Sequence, residues 1–197
     1  MLAYPADLQL MLSQRYTAQT ITVTNGGVPD ETAVQGMVRL DGQLVLHHPD
    51  VLLLLEGVND LDPVNPSSSM QTALKALQSM IQDARNRRVR VIISTRLPEV
   101  PVSGPGNRAN SARLIESFNT QLKAMALSQG ALVVDTYSDF SAGNLNDWIS
   151  PLDGLHPTAA GYQEMARVFF NTIQTTFELP QSMAMTLQRP RLLRTPL

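Results

Sequence analysis

Asp153 and His156 stand three residues apart in Pro-Leu-Asp-Gly-Leu-His-Pro-Thr-Ala-Ala-Gly-Tyr, residues 151–162. A carboxylate so placed can hold an imidazole in one tautomer. It also stabilises the imidazolium that forms when the ring takes a proton from a hydroxyl. Proline follows the histidine and a helix is predicted from Thr158, so the pair falls in a loop that opens a helix. His47 and His48 precede Pro-Asp in a turn, lack such a neighbour and read as solvated. Asn59, in Glu-Gly-Val-Asn-Asp-Leu-Asp-Pro (56–63), offers a neutral amide donor. Such a donor suits a developing oxyanion because it does not compete as a base. Gly57 lets the backbone turn sharply just before it. Asp60 and Asp62 raise a hard-cation site, but their spacing does not match the calcium loop. Metal-assisted hydrolysis using His156 with Asp60 or Asp153 is a weak third reading, because these groups sit in separate loops. No metal or cofactor is expected.

These residues need elements to carry them. Thr20–Asn25, Asp50–Gly57, Val89–Thr95 and Ala131–Thr136 are β-type or apolar runs and are predicted as strands, the second covered on both faces. Between them the apolar period becomes helical: Leu74, Leu77, Ile81 and Ala84, then Ile115, Phe118, Leu122 and Met125, then Tyr162, Met165, Phe169 and Ile173. A helix near Pro5 precedes the first strand, and Thr32 is a helix start after the Asn25-Gly26-Gly27 turn. Alternation of this kind predicts parallel strands with helices on both faces, and ligands then bind beyond the carboxyl ends of the strands. The proline- and glycine-rich stretch 101–106 is predicted as a long loop shaping a pocket. Arg96, at the end of the third run, either binds an anion or pairs with Glu99 or Asp135; both readings are open.

With 197 residues, 43% hydrophobic and 16% charged, the chain suits one α/β domain over 1–179. A flexible tail carrying Arg189, Arg191 and Arg194 is expected over 180–197. A net charge of −2 gives no reason to expect nucleic acid, and no apolar run is long enough to span a bilayer. The absence of cysteine removes disulfides and thiolate chemistry. "MLAYPADLQL" at the amino terminus does not read as a signal peptide.

The blocks "VTNGGVPDETA", "LLLLEGVNDL" and "DGLHPTAAGY" occur in an order and spacing that resemble the SGNH hydrolases, also called GDSL esterases. The resemblance runs over roughly residues 4–176, and "TRLP" at 95–98 resembles the bacterial thioesterase/lysophospholipase branch. It implies a three-layer α/β/α, flavodoxin-like fold with a parallel sheet, and a small-molecule acyl ester or thioester substrate. It implies that Asp153 orients His156, that His156 is the base and that Asn59 is an oxyanion donor. The family's oxyanion glycine aligns with Asp30, whose backbone N–H can still donate; Gly27 is a second substitute. The family's nucleophile is a serine in a Gly-Asp-Ser-Leu block just after the first, central strand. No such block occurs here, and Ser13, Ser67, Ser68, Ser69 and Ser94 are not placed to replace it. Tyr4-Pro5-Ala6-Asp7-Leu8 matches the helix start that follows the block in the family, so the block and central strand are expected before Met1. The expectation is therefore an amino-terminally shortened ester hydrolase, inactive alone, whose central strand comes from a lost segment or a partner. An export leader would lie in that segment, so the compartment stays open. The alternative is a binding protein that keeps the cleft without turnover.

Overall fold

The computed structural model describes residues 3–61, 65–102 and 109–178, so the tail expected from 180 lies outside the described residues. Three parallel strands run β1 (Val51–Leu54), β2 (Arg90–Ser94) and β3 (Leu132–Val134), in that order across the sheet. Val51 pairs with Arg90 and Ile92 with Leu132. Alternate residues face opposite ways. Val91, Ile93 and Leu54 join the core with helices α2 (Ala33–His47), α3 (Pro66–Asn86) and α4 (Ala109–Ser128). Ile92, Val134, Val51 and Leu53 join the cluster with α1 (Tyr4–Arg15) and α7 (Ala159–Phe177). The result is the expected α/β/α layering on a reduced sheet.

Three of the long helices start where side-chain chemistry says they should. Pro5 occupies the first turn of α1, Thr32 and Gln35 form a reciprocal capping box on α2, and Thr158 accepts from the Gly161 N–H at α7. Two short helices, α5 (Thr136–Ala142) and α6 (Leu145–Trp148), were not expected. The signal for α5 was Asp135, whose carboxylate accepts from Ser138 N–H.

One strand expectation fails. Residues 20–25 belong to no sheet. Among the described residues no strand pairs with the outer edge of β1 either. The β-branched sequence favours an extended backbone, yet a strand also needs a neighbour to take its peptide groups. Here the side chain of Gln9 on α1 stands in. Its Nε2 donates to the Ile21 carbonyl at 2.8 Å and its Oε1 accepts from Val23 N–H at 2.6 Å. A primary amide thereby supplies two bonds that a neighbouring strand would otherwise make.

Candidate active site

Three loops gather at the carboxyl end of the sheet. The first, after β1, turns at Gly57, whose φ of +108° favours glycine and where a Cβ would approach the Phe118 ring to 2.9 Å. It presents Asn59 and Asp60. Asn59 Nδ2 donates to the Glu31 carbonyl at 3.0 Å, and Asp60 Oδ2 accepts from Ala33 N–H at 2.9 Å, capping α2. Both bonds clamp this loop to the segment around Asp30. An amide carries two N–H donors, and the second donor of Asn59 has no partner among the described residues. Asp30 is exposed and holds a left-handed φ of +60°. Gly27 N–H bonds the Asn25 side chain at 3.1 Å in a local turn, so it is committed there.

The second loop follows β2. Asn119 grips the backbone of Arg96 from both sides, accepting from its N–H at 2.7 Å and donating to its carbonyl at 3.0 Å. Of the two partners foreseen for Arg96, Glu99 attracts its guanidinium and Asp135 is engaged elsewhere. Asp135 is taken by Lys123 at 2.9 Å and Thr95 at 3.1 Å. The Arg96 guanidinium is buried, and its Nε and Nη1 have no hydrogen-bond partner among the described residues. Burial draws its pKa down to about 10, against the attraction of Glu56, Asp60 and Glu99.

The third loop carries the aspartate and histidine. Asp153 Oδ2 meets His156 Nδ1 at 2.9 Å, while Oδ1 accepts from the N–H groups of Leu155 at 2.9 Å and His156 at 3.0 Å. Burial would raise the Asp153 carboxyl, but the His156 and Leu155 N–H bonds and the imidazole outweigh it and hold it below its usual range. An ionised acceptor at Nδ1 places the ring proton there and leaves the Nε2 lone pair outward. The ring is largely exposed, at 66%. The loop is locked from below. Gly154 N–H bonds Ser150 O, Gly154 O accepts from Val100 N–H, and Ser150 N–H bonds His156 O, each at 2.8 Å. At Gly154, φ is +67° and a Cβ would lie 1.9 Å from the Val100 carbonyl oxygen, so only glycine fits. No hydroxyl among the described residues is hydrogen-bonded to His156.

Three contributors escaped the sequence reading. Asn119 lies within the apolar stripe Ile115–Phe118–Leu122, and a polar residue in such a stripe is the signal it offered. Glu31 is buried and paired with Arg39 at 2.5 Å. Glu56, at the end of the apolar run, is raised to about 7, chiefly by burial and then by Glu31 and Asp60, against the pull of Arg96 and Arg39. The folded chain therefore holds this proton to a higher pH than the unfolded one. Its contribution to stability is full below the ordinary carboxyl range and is lost as pH rises through about 7. Glu56→Gln should melt like the parent near ~pH 4 and higher than the parent near ~pH 8. A gain of roughly 2–4 °C is expected, the response of a domain this size to ~1 kcal/mol. Equal melting curves at both pH values would refute a buried titrating carboxyl.

Comparison with known proteins places this geometry. A family model described as GDSL-like Lipase/Acylhydrolase matches residues 3–164. A multidomain esterase of Ruminococcus flavefaciens is 26% identical over 131 residues. That match takes in 65% of this chain but only 16% of the longer protein. Among solved structures, a catalytic mutant of an acetylxylan esterase from Geobacillus stearothermophilus superposes with a TM-score of 0.72 at 22% identity, covering 87% of this chain and 81% of that one. A lipase/acylhydrolase from Enterococcus faecalis gives 0.69 at 20% identity, covering 88% of each. At these identities the structural likeness establishes the fold.

Proposed function

The chain belongs to the GDSL-like lipase/acylhydrolase family, and from that premise we propose that it hydrolyses acyl esters, with His156 as the base and Asp153 as its orienting carboxylate. The observation that carries the reading is the 2.9 Å Asp153–His156 contact, with both carboxylate oxygens engaged and Nε2 without a hydrogen-bond partner among the described residues. In the proposed reaction a serine hydroxyl gives its proton to His156 Nε2 as its oxygen attacks the ester carbonyl. The proton then passes to the departing alcohol, and water activated by the same nitrogen releases the acid. Asn59 donates its uncommitted N–H to the carbonyl oxygen as negative charge gathers there, joined by the backbone N–H of Asp30.

The nucleophile is proposed to come from a strand outside these 197 residues that pairs with the outer edge of β1. Support comes from that unpaired edge and from the makeshift bonding of residues 20–25 by Gln9. A small acyl group on a carbohydrate is the substrate favoured by likeness to acetylxylan esterases. The test is 4-nitrophenyl acetate hydrolysis by the chain alone and by the chain translated with its upstream reading frame. Burst-phase turnover only in the longer form supports the proposal; no turnover in either form sinks it. The rival reading, a binding protein without turnover, draws on the lack of a hydroxyl bonded to His156 among the described residues.

Asn59→Ala in the active form should lower kcat by about 10²–10³, the usual cost of one oxyanion donor, with KM nearly unchanged. A KM effect alone would remove Asn59 from the oxyanion site.

A further inference from the structure

Burying a guanidinium without hydrogen bonds is costly, and Arg96 is buried in that way at the carboxyl end of β2. The residue is 7% exposed, and its Nε and Nη1 have no hydrogen-bond partner among the described residues. Its backbone is fixed by Asn119 of α4, which bonds both the N–H and the carbonyl. The next residue back, Phe118, packs against Gly57, at the turn that presents Asn59. One stretch of α4 therefore sets Arg96 and that turn together.

Carboxylates crowd the turn. A Cβ at Gly36, early in α2, would lie 3.5 Å from both Glu31 Oε2 and Glu56 Oε1. Asp60 caps the same helix at Ala33 N–H. Glu31 is taken by Arg39. Glu56 and Asp60, on either side of Asn59 in sequence, both attract the Arg96 guanidinium, as do Glu99 and Tyr4. Arg39 also pulls on Glu56, less strongly than Arg96 does. Attraction of this kind needs the charge of arginine and not its N–H fork. The guanidinium, drawn down only to about 10, keeps that charge at neutral pH.

We infer that Arg96 is a positioning residue for the oxyanion donor: its buried charge pulls on Glu56 and Asp60, at the two ends of the turn, and so fixes the aim of Asn59. Without that charge Glu56, Asp60 and Glu31 repel one another and the turn relaxes. The inference rests on the hydrolytic reading, in which Asn59 is the donor.

The experiment compares Arg96→Lys, which keeps the charge, with Arg96→Met, which keeps much of the volume without it. In the form that turns over 4-nitrophenyl acetate, Arg96→Met should lower kcat by roughly ten- to a hundredfold at constant KM, the effect of misaiming a catalytic group. Arg96→Lys should stay within about threefold of the parent, because no fork hydrogen bond is lost. In an Asn59→Ala background, Arg96→Met should lower kcat no further. Equal losses in the lysine and methionine variants would mark packing in place of charge and overturn the assignment. So would a parent-like kcat in Arg96→Met, or a multiplicative loss with Asn59→Ala. Asp60→Asn keeps an acceptor for Ala33 N–H but gives up the charge, and it carries the test if Arg96→Met does not fold. It should lower kcat severalfold at constant KM, and a parent-like value overturns the assignment. A carbon NMR titration of the 197-residue chain reads the charge directly. Glu56, faced by Arg96, Glu31, Asp60 and Arg39, should titrate near 7 in the parent and in Arg96→Lys. It should titrate higher in Arg96→Met, where the cation that favours its ionised form is gone. An unmoved midpoint overturns the inference. Absence of turnover in the parent would sink the esterase reading by itself, while the titration still judges Arg96.

Discussion

Replacing His156 with alanine is expected to lower kcat for ester hydrolysis by about 10⁴–10⁶ in the form that turns over, with the fold intact. The magnitude follows from what the ring alone supplies. A serine hydroxyl at neutral pH is a weak nucleophile, and no other side chain in this loop offers a lone pair to accept its proton. Asp153 is ionised but turned away, with both oxygens engaged by the loop and the imidazole. The fold should not notice the change. The ring is 66% exposed, and among the described residues its one hydrogen bond is to Asp153. Melting should therefore stay within about 1–2 °C of the parent. KM should change little, because the imidazole acts on the proton in transit rather than on the resting ester. Measuring kcat and KM on 4-nitrophenyl acetate, with circular dichroism alongside, checks both halves. Activity within tenfold of the parent would remove His156 from the mechanism.

The turn and helix start over residues 153–162 were legible because their determinants are local. Asp153, Gly154, His156 and Thr158 form one turn and one helix cap, so their spacing already encodes their hydrogen bonds. The long helices were legible for the same reason, through apolar period and first-turn or capping residues. Residues 20–25 failed because strand formation is a property of two segments. Ile21 and Val23 have strand chemistry, but no strand takes their peptide groups, and Gln9 does so from a helix. Arg96 shows a second limit. Its neighbours in sequence suggested Glu99 or Asp135 as partner; Glu99 does act on it, but the fold commits Asp135 to Lys123 and adds Glu56 and Asp60 from another loop. Long-range electrostatics of this kind leave no spacing to read.

Asp153→Asn should cost about 10⁴ in kcat, nearly as much as losing the histidine, although it changes one atom. Oδ1 of the asparagine can still accept from Leu155 and His156 N–H, so the turn survives. Its Nδ2 then faces His156 Nδ1 at the position where Oδ2 lies at 2.9 Å. A donor there requires Nδ1 to accept, which moves the ring proton to Nε2. The nitrogen that must take the serine proton is then already occupied. Alanine at 153 would be a poorer probe, because it also removes the two backbone bonds that shape the loop. The decisive comparison is the double variant. Asp153 acts only through His156, so Asp153→Asn with His156→Ala should be no slower than His156→Ala alone. Multiplicative losses would mean that the carboxylate acts on the substrate itself, and its role would have to be assigned anew.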